Sequence, residues 1–127
     1  MIVAGLGFRR GASAGEIEAV VALALDRLGL ARERLDALAT LAGKSEEAGL
    51  REAASRLALP VIACSREAMH SVADRIVTFS ARVEAAVGVP SVAEGSALVA
   101  AGPSSTLRLP RVATASATCA IAEGSGP

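Results

Sequence analysis

The 127-residue chain has no tryptophan and no tyrosine, and its only phenylalanines are Phe8 and Phe79. Without aromatic platforms it lacks what a base-stacking nucleic-acid binder needs, so nucleic acid is set aside as a partner. The lone histidine, His70, permits no metal site built on several imidazoles and no triad assembled from this chain alone; an ordinary, partly exposed helix position is expected for it. The two cysteines, Cys64 and Cys119, form neither a metal or redox spacing nor a disulfide framework, which fits a reducing cytosol and two buried small hydrophobes. Net charge is also missing: thirteen Lys plus Arg balance thirteen Asp plus Glu. No overall field draws the chain to nucleic acid or an anionic membrane, so any anion must be held by a local cluster. No apolar stretch approaches the roughly 20 residues that span a bilayer, and the N-terminus shows neither a basic region nor a cleavage signature. The expectation is a soluble, cytoplasmic protein with no membrane partner and no metal or cofactor of its own.

What is present is globular. Half of the residues are hydrophobic (52%) and a fifth charged (20%), and the length suits one domain with one core. Ile2 to Leu6 is a short apolar run ending at Gly7, and Gly5 and Gly11 frame a loop, Phe8-Arg9-Arg10, ahead of Ser13. Ser13 with Glu16 forms a capping box, and Ile17, Val20, Val21, Ala24, Leu25 and Leu28 recur at helical spacing until Gly29. The unit then repeats. Leu35 to Leu41 reads as a strand, Gly43-Lys44 as a loop, and Ser45 as the cap of a second helix with Glu46 and Glu47 in its first turn. Pro60 precedes a third apolar run, Val61 to Cys64. Short helices follow around Met69 to Ile76 and Val83 to Val87, and Ser91 with Glu94 repeats the capping-box spacing before Leu98 to Ala101. The last runs, Leu107 to Val112 and Ala115 to Ala122, are too close for a crossover and should pair antiparallel.

These patterns predict an α/β protein: a single three-layer α/β/α domain over residues 1–123, with a mixed, mainly parallel sheet of about five strands. Residues 124–127 have nothing to bury and are expected to be loose.

Candidate chemistry collects on the loops after the strands, where ligands of open α/β sheets gather. The glycines of Gly5, Gly7 and Gly11 let a ligand approach the backbone, and Ser13 opens a helix whose first N–H groups attract anions. The G-x-G-x-x-x-G spacing is not the dinucleotide fingerprint, and no acidic residue stands where it would hold a ribose. Arg9 and Arg10 beside such a loop suit carboxylates or phosphates through bidentate hydrogen bonds; the competing reading is two solvated arginines on a turn. Lys44 lies in the equivalent loop after the second strand, so Arg9, Arg10 and Lys44 are expected to converge. Helix-terminal donors at Ser45 and Ser91 would add to them. Glu47 either orients Lys44, acts as a general base or complements the helix dipole, and Glu94 is most simply the reciprocal half of its capping box.

These residues carry a resemblance. Gly5-Leu6-Gly7-Phe8-Arg9-Arg10-Gly11 resembles the G-x-G-C-R-[RK]-G opening of the CobE and CbiG C-terminal domain family. The likeness continues through Ala37-Leu38-Ala39-Thr40 and the K-x-x-E-x-G-L pattern of Lys44, Glu47, Gly49 and Leu50. It extends to Val87-Gly88-Val89-Pro90-Ser91-Val92-Ala93-Glu94 with Ala97-Leu98, and to Thr118-Cys119-Ala120-Ile121-Ala122. Phe8 stands where the family often has cysteine, excluding a thiol function there. Arg111 stands where a lysine is common before the final strand, keeping the charge and a candidate anion contact.

The resemblance implies a part in cobalamin (vitamin B12) biosynthesis, a branch of porphyrin and tetrapyrrole metabolism. CbiG-like proteins open the ring-A lactone of cobalt-precorrin-5A and release acetaldehyde, whereas CobE-like proteins stand alone. This chain has the stand-alone length and lacks the N-terminal portion of CbiG, so whether it is an enzyme is left open. Precorrins bear many acetate and propionate carboxylates, which Arg9, Arg10, Lys44 and Arg111 would grip. Three functions compete: a protein that binds a precorrin or corrinoid intermediate, a precorrin hydrolase using Glu47 or Glu94 to activate water, and a non-catalytic partner of a precorrin methyltransferase or another pathway enzyme.

Overall fold

The opening apolar run becomes β1 (Ile2–Phe8), which leads through the Arg9–Ala12 turn into α1 (Ala14–Leu28) in a computed structural model that describes residues 1–127. The capping box of α1 is complete: Ser13 Oγ accepts from the Glu16 N–H, and Glu16 Oε1 accepts from the Ser13 N–H. Gly29, at φ 70°, closes the helix in the left-handed conformation that glycine adopts without strain. The chain continues through β2 (Ala37–Leu41), α2 (Ala48–Leu57), β3 (Val61–Cys64), α3 (Arg66–His70), α4 (Ala81–Val87), α5 (Val92–Ala101), β4 (Thr106–Ala113) and β5 (Ala117–Glu123).

One boundary differs from the sequence reading. Ser45 does not cap α2; it is buried within a 3-10 turn, Lys44–Glu46, and the helix starts three residues later with Glu47 at its N-cap. The reason is the Glu47 side chain, which leaves its own helix and takes the Gly11 N–H and the Lys44 ammonium instead.

The five strands form one mixed sheet in the order β3-β2-β1-β5-β4. β1 pairs parallel with β2, and β2 with β3, while β5 runs antiparallel to both β1 and β4. Parallel and antiparallel pairings are thus equally represented, because the β4–β5 hairpin adds itself beside β1 rather than beyond β3. Three layers result. On one face Leu6, Leu38 and Ile121 pack against Ile17 and Val20 of α1 and Leu50 of α2. On the other, Val3, Ala37 and Ala122 meet Met69 of α3 and Leu98 of α5.

The second face is built by omission of side chains. A Cβ on Gly5 would lie 2.0 Å from the Ala93 carbonyl oxygen and 2.6 Å from the Ala97 nitrogen, so α5 rests backbone to backbone on the central strand. Ala93, Gly95, Ser96, Ala97, Ala100 and Ala101 supply the matching small residues, all buried. Gly49 does the same for α2, where a Cβ would approach the Ala12 carbonyl to 1.9 Å. Both cysteines are free and buried, and burial pushes their thiols up to about 11 for Cys64 and about 12 for Cys119, which makes them unreactive near neutral pH.

The terminal residues expected to be loose are hydrogen-bonded at two places. The Met1 ammonium donates to the Gly124 carbonyl, whose residue returns an N–H to the Met1 carbonyl, and the Gly126 N–H donates to Ala101. No single helix is long and apolar enough to cross a membrane; α4 and α5 reach that length only together, bent by 60°.

Replacing Gly5 by Ala is expected to destabilise the protein by about 1–3 kcal/mol or more, because the helix must lift off the sheet. Gly11→Ala, at a φ of 79° with open space around it, should cost only about 1 kcal/mol. Thermal unfolding of the two variants checks the order; equal losses would show that the β1–α5 contact yields easily.

Candidate functional site

The carboxyl ends of β1 and β2, the N-terminus of α5 and the β4–β5 turn meet along one edge of the sheet. Between them and α4 lies a cleft of about 400 Å³, lined by eighteen residues that include Arg9, Lys44, Arg82 and Arg111 and no aspartate or glutamate. Its apolar surface comes from Phe8, Leu41, Val83, Val87 and Val92. Arg9, Arg82 and Arg111 have no carboxylate within ion-pair distance, the ion pairs of the molecule being formed by Lys44, Arg51, Arg56 and Arg108. Those three guanidinium groups stay without a countercharge until an anion arrives.

Lys44 is held from two sides. Its ammonium lies 2.9 Å from Glu47 Oε2 and 4.7 Å from the centre of the Phe8 ring. The cation–π contact adds roughly 0.5–1 kcal/mol at such a half-exposed position. Phe8 therefore fixes a cation on the cleft wall. Glu47 also accepts the Gly11 N–H at 3.0 Å. The Lys44 hydrogen bond is the largest of the influences that hold its carboxyl below the usual glutamate range, burial opposing and the Gly11 N–H assisting. A carboxylate so satisfied is a poor general base; its work is to tie the loop after β1 to the loop after β2.

Glu94 is fully buried, and its reach is longer than a capping box. Oε1 accepts the N–H groups of Val77 (2.7 Å) and Thr78 (3.1 Å), and Oε2 accepts the Arg111 N–H at 2.9 Å. The expected reciprocal bond to the Ser91 N–H is therefore replaced, although Ser91 Oγ still accepts from the Glu94 N–H. Burial alone would raise the Glu94 pKa, but the N–H groups of Arg111, Thr78 and Val77 outweigh it and hold the carboxyl below its ordinary value. Arg111 is free to donate sideways because β4 breaks register with β5 between Leu109 and Val112, next to Pro110. One carboxylate thus fixes the segment that leads into α4, the start of α5 and the strand that carries Arg111.

Of the residues singled out in the sequence, Gly7, Arg9, Lys44, Ser91 and Arg111 meet in the cleft. Arg10, Gly11, Ser13 and Glu47 line a second, more open groove between the starts of α1 and α2, so Arg10 does not converge with Arg9. Gly5 is buried under α5, Ser45 is buried outside the cleft lining, and Glu94 lies behind the wall. The Ser13 and Ser91 hydroxyls are engaged as helix caps. His70 is exposed on α3, with Nε2 beside Gly88. Sequence reasoning missed Arg82, the β4–β5 turn from Thr114 to Ser116 and the start of β5 at Ala117 and Thr118 as cleft residues; the apolar spacing that marked α4 was the one signal available for its arginine.

The family model described as cobalamin synthesis G C-terminus matches residues 2–122. The chain belongs to this family. It is 35% identical to protein CobE of Sinorhizobium sp. over 121 residues, covering 95% of this chain and 79% of that one. Its fold superposes on the crystal structure of CobE, a protein from the cobalamin biosynthetic pathway, with a TM-score of 0.92 at 33% identity, covering 100% of this chain and 92% of that one. The cobalamin biosynthesis protein chiG from Agrobacterium tumefaciens is 39% identical with a TM-score of 0.78, covering 98% and 99% of the two chains. A cobalamin biosynthesis protein G homologue from Sulfolobus solfataricus shares the fold (TM-score 0.67, 24% identity), with 95% of this chain matching 36% of that one. This chain is accordingly a cobalamin biosynthesis protein.

The K-x-x-E-x-G-L pattern of residues 44–50 has a physical reading in this chain. Lys44 pairs with Glu47, Glu47 holds Gly11, Gly49 admits the Ala12 carbonyl, and Leu50 enters the core, so four residues of one motif seat α2 against the loop after β1.

Because the folded-state pKa of Glu94 lies below the ordinary 4.5, its stabilising contribution is complete above that value and is lost as the pH falls through the lower, folded value. Glu94→Gln places an amide N–H₂ against at least one backbone donor and should cost about 1.5–3 kcal/mol at neutral pH. The variant should also lose part of the wild-type drop in stability on acidification below pH 4.5. Denaturant unfolding across that range checks both; an unchanged acid profile would exclude Glu94 as a source of the drop.

Proposed function

We propose that the cleft binds a precorrin or corrinoid intermediate of cobalamin biosynthesis through its peripheral carboxylates, and that the protein holds or hands on this ligand rather than hydrolysing it. The observation that carries this reading is the lining itself: Arg9, Lys44, Arg82 and Arg111 come from four separate elements around an apolar surface, with no acidic residue among them. An amphiphilic polyanion whose carboxylates are spread around a ring matches that distribution. Arginine forks suit carboxylates bidentately, and each charge-assisted hydrogen bond contributes roughly 1.5–3 kcal/mol. Sites for small molecules usually enclose roughly 300–1,000 Å³, so a cleft at the lower end of that range suits one edge of a macrocycle, with the remainder open to solvent or to the next enzyme.

Hydrolysis is the less favoured reading. Glu47 is committed to Lys44 and Gly11, and Glu94 to three backbone donors, so neither is placed to activate water in the cleft. An intermediate held without turnover is what the arrangement supports, and handing it on implies contact with a pathway enzyme.

Anaerobic co-expression of the tagged protein with precorrin-producing enzymes, followed by gel filtration and visible spectroscopy, tests the reading. A tetrapyrrole band should co-elute with the wild type and fall at least tenfold when Arg9, Lys44 and Arg111 are changed together to Ala. The absence of tryptophan and tyrosine keeps the near-ultraviolet clear for the measurement. A protein that elutes colourless from every combination of intermediates would overturn the proposal.

A further inference from the structure

The short helix α4 is the least supported element bordering the cleft. None of its seven residues is buried, and its N-terminal side adjoins Val77 and Phe79, the two large apolar side chains most exposed in the molecule (69% and 66%). A seven-residue helix is not stable by its own hydrogen bonds. It is held at its ends: Glu94 takes the Val77 and Thr78 N–H groups, Ser80 Oγ accepts from the Val83 N–H, the Ser80 N–H donates to Pro90, and Gly88 at φ 90° ends the helix against His70. Val87 alone of its side chains packs against the core. Val83 and Ala86, one turn apart on the same face, line the cleft instead, and Arg82 lies beside them. The helix therefore turns an apolar stripe with one adjacent guanidinium toward a cavity, where a core helix would turn it toward other side chains.

We infer that α4 is the selectivity wall of the cleft and is completed by its ligand: Arg82 binds a peripheral carboxylate while Val83 and Ala86 pack on the adjoining face of the ring. This rests on the reading that the cleft takes a polycarboxylated tetrapyrrole and adds which residue counts its carboxylates. The other three cations stand on the sheet edge or the loops after its strands, whereas Arg82 stands on the opposite wall, so a ligand that satisfies all four must carry carboxylates on more than one side. A tetrapyrrole with fewer carboxylates leaves Arg82 or one of its counterparts unpaired and gains less.

Two stable probes separate these contributions: uroporphyrin, with an acetate and a propionate on every ring, and coproporphyrin, with the propionates alone. Visible titration of the wild type should show uroporphyrin bound more tightly. Arg82→Ala should weaken uroporphyrin by roughly tenfold or more while changing coproporphyrin less, narrowing the ratio between them. Arg82→Lys keeps the charge, loses the fork and should fall between the two. Saturating uroporphyrin should also slow hydrogen exchange of the 81–88 amides in the wild type and much less in Arg82→Ala. Thermal melts are expected to be unchanged by either variant, since the exposed Arg82 pairs with nothing.

If Arg82→Ala binds both probes as the wild type does, while the Arg9, Lys44 and Arg111 triple variant loses them, α4 is not part of the site and the inference fails with the binding function intact. Unaltered exchange at 81–88 on saturation would overturn it equally. If the wild type binds neither probe, the tetrapyrrole reading itself fails and this inference falls with it.

Discussion

A single buried carboxylate organises the edge on which the cleft is built. Glu94 has no countercharge; three backbone N–H groups from two distant parts of the chain replace the water it lost. An anion in that position is stable only while all the donors point at it, and the donors have few other acceptors once the register of β4 has slipped at Pro110. The segment into α4, the first turn of α5 and the strand bearing Arg111 are thereby set against one another by one side chain. Arg9, Arg82 and Arg111 can then stay without a carboxylate partner because the frame that presents them draws on a different charge.

The frame itself depends on how closely α5 lies on β1. With no Cβ at Gly5, the helix start comes down onto the strand, and Ser91 and Val92 line the cleft together with Gly7 and Phe8. A bulkier contact would raise the wall and widen the cleft. Glycine at this place is a matter of distance between backbones, whereas Gly11 and Gly88 are matters of backbone angle, at φ 79° and 90°.

Much of the scaffold was legible in the residues. Ser13 with Glu16, the apolar periodicity of α1 and the short β4–β5 connection each have one local solution, and the structure contains it. The family likeness was legible too, since its motifs run in order along the chain. What escaped was non-local. Glu47 and Glu94 have the sequence context of first-turn acids, yet their carboxylates answer donors 36 and 17 residues away, which no window of local sequence contains. Arg10 looks equivalent to Arg9 until the turn after β1 sends the two into different grooves. Arg82 lies on a helix too short to announce itself and depends for its meaning on what faces it across the cleft.

The pairing of Met1 with Gly124 brings the two ends of the polypeptide together at the start of β1, the edge of the sheet opposite the one where Gly7, Arg9 and Lys44 stand. Additional chain joined at either end would leave from the far pole of the molecule and would not obstruct the cleft. The same architecture can therefore serve as a whole protein or be carried as one part of a larger one, as in the Sulfolobus homologue, where the matching region occupies 36% of the chain.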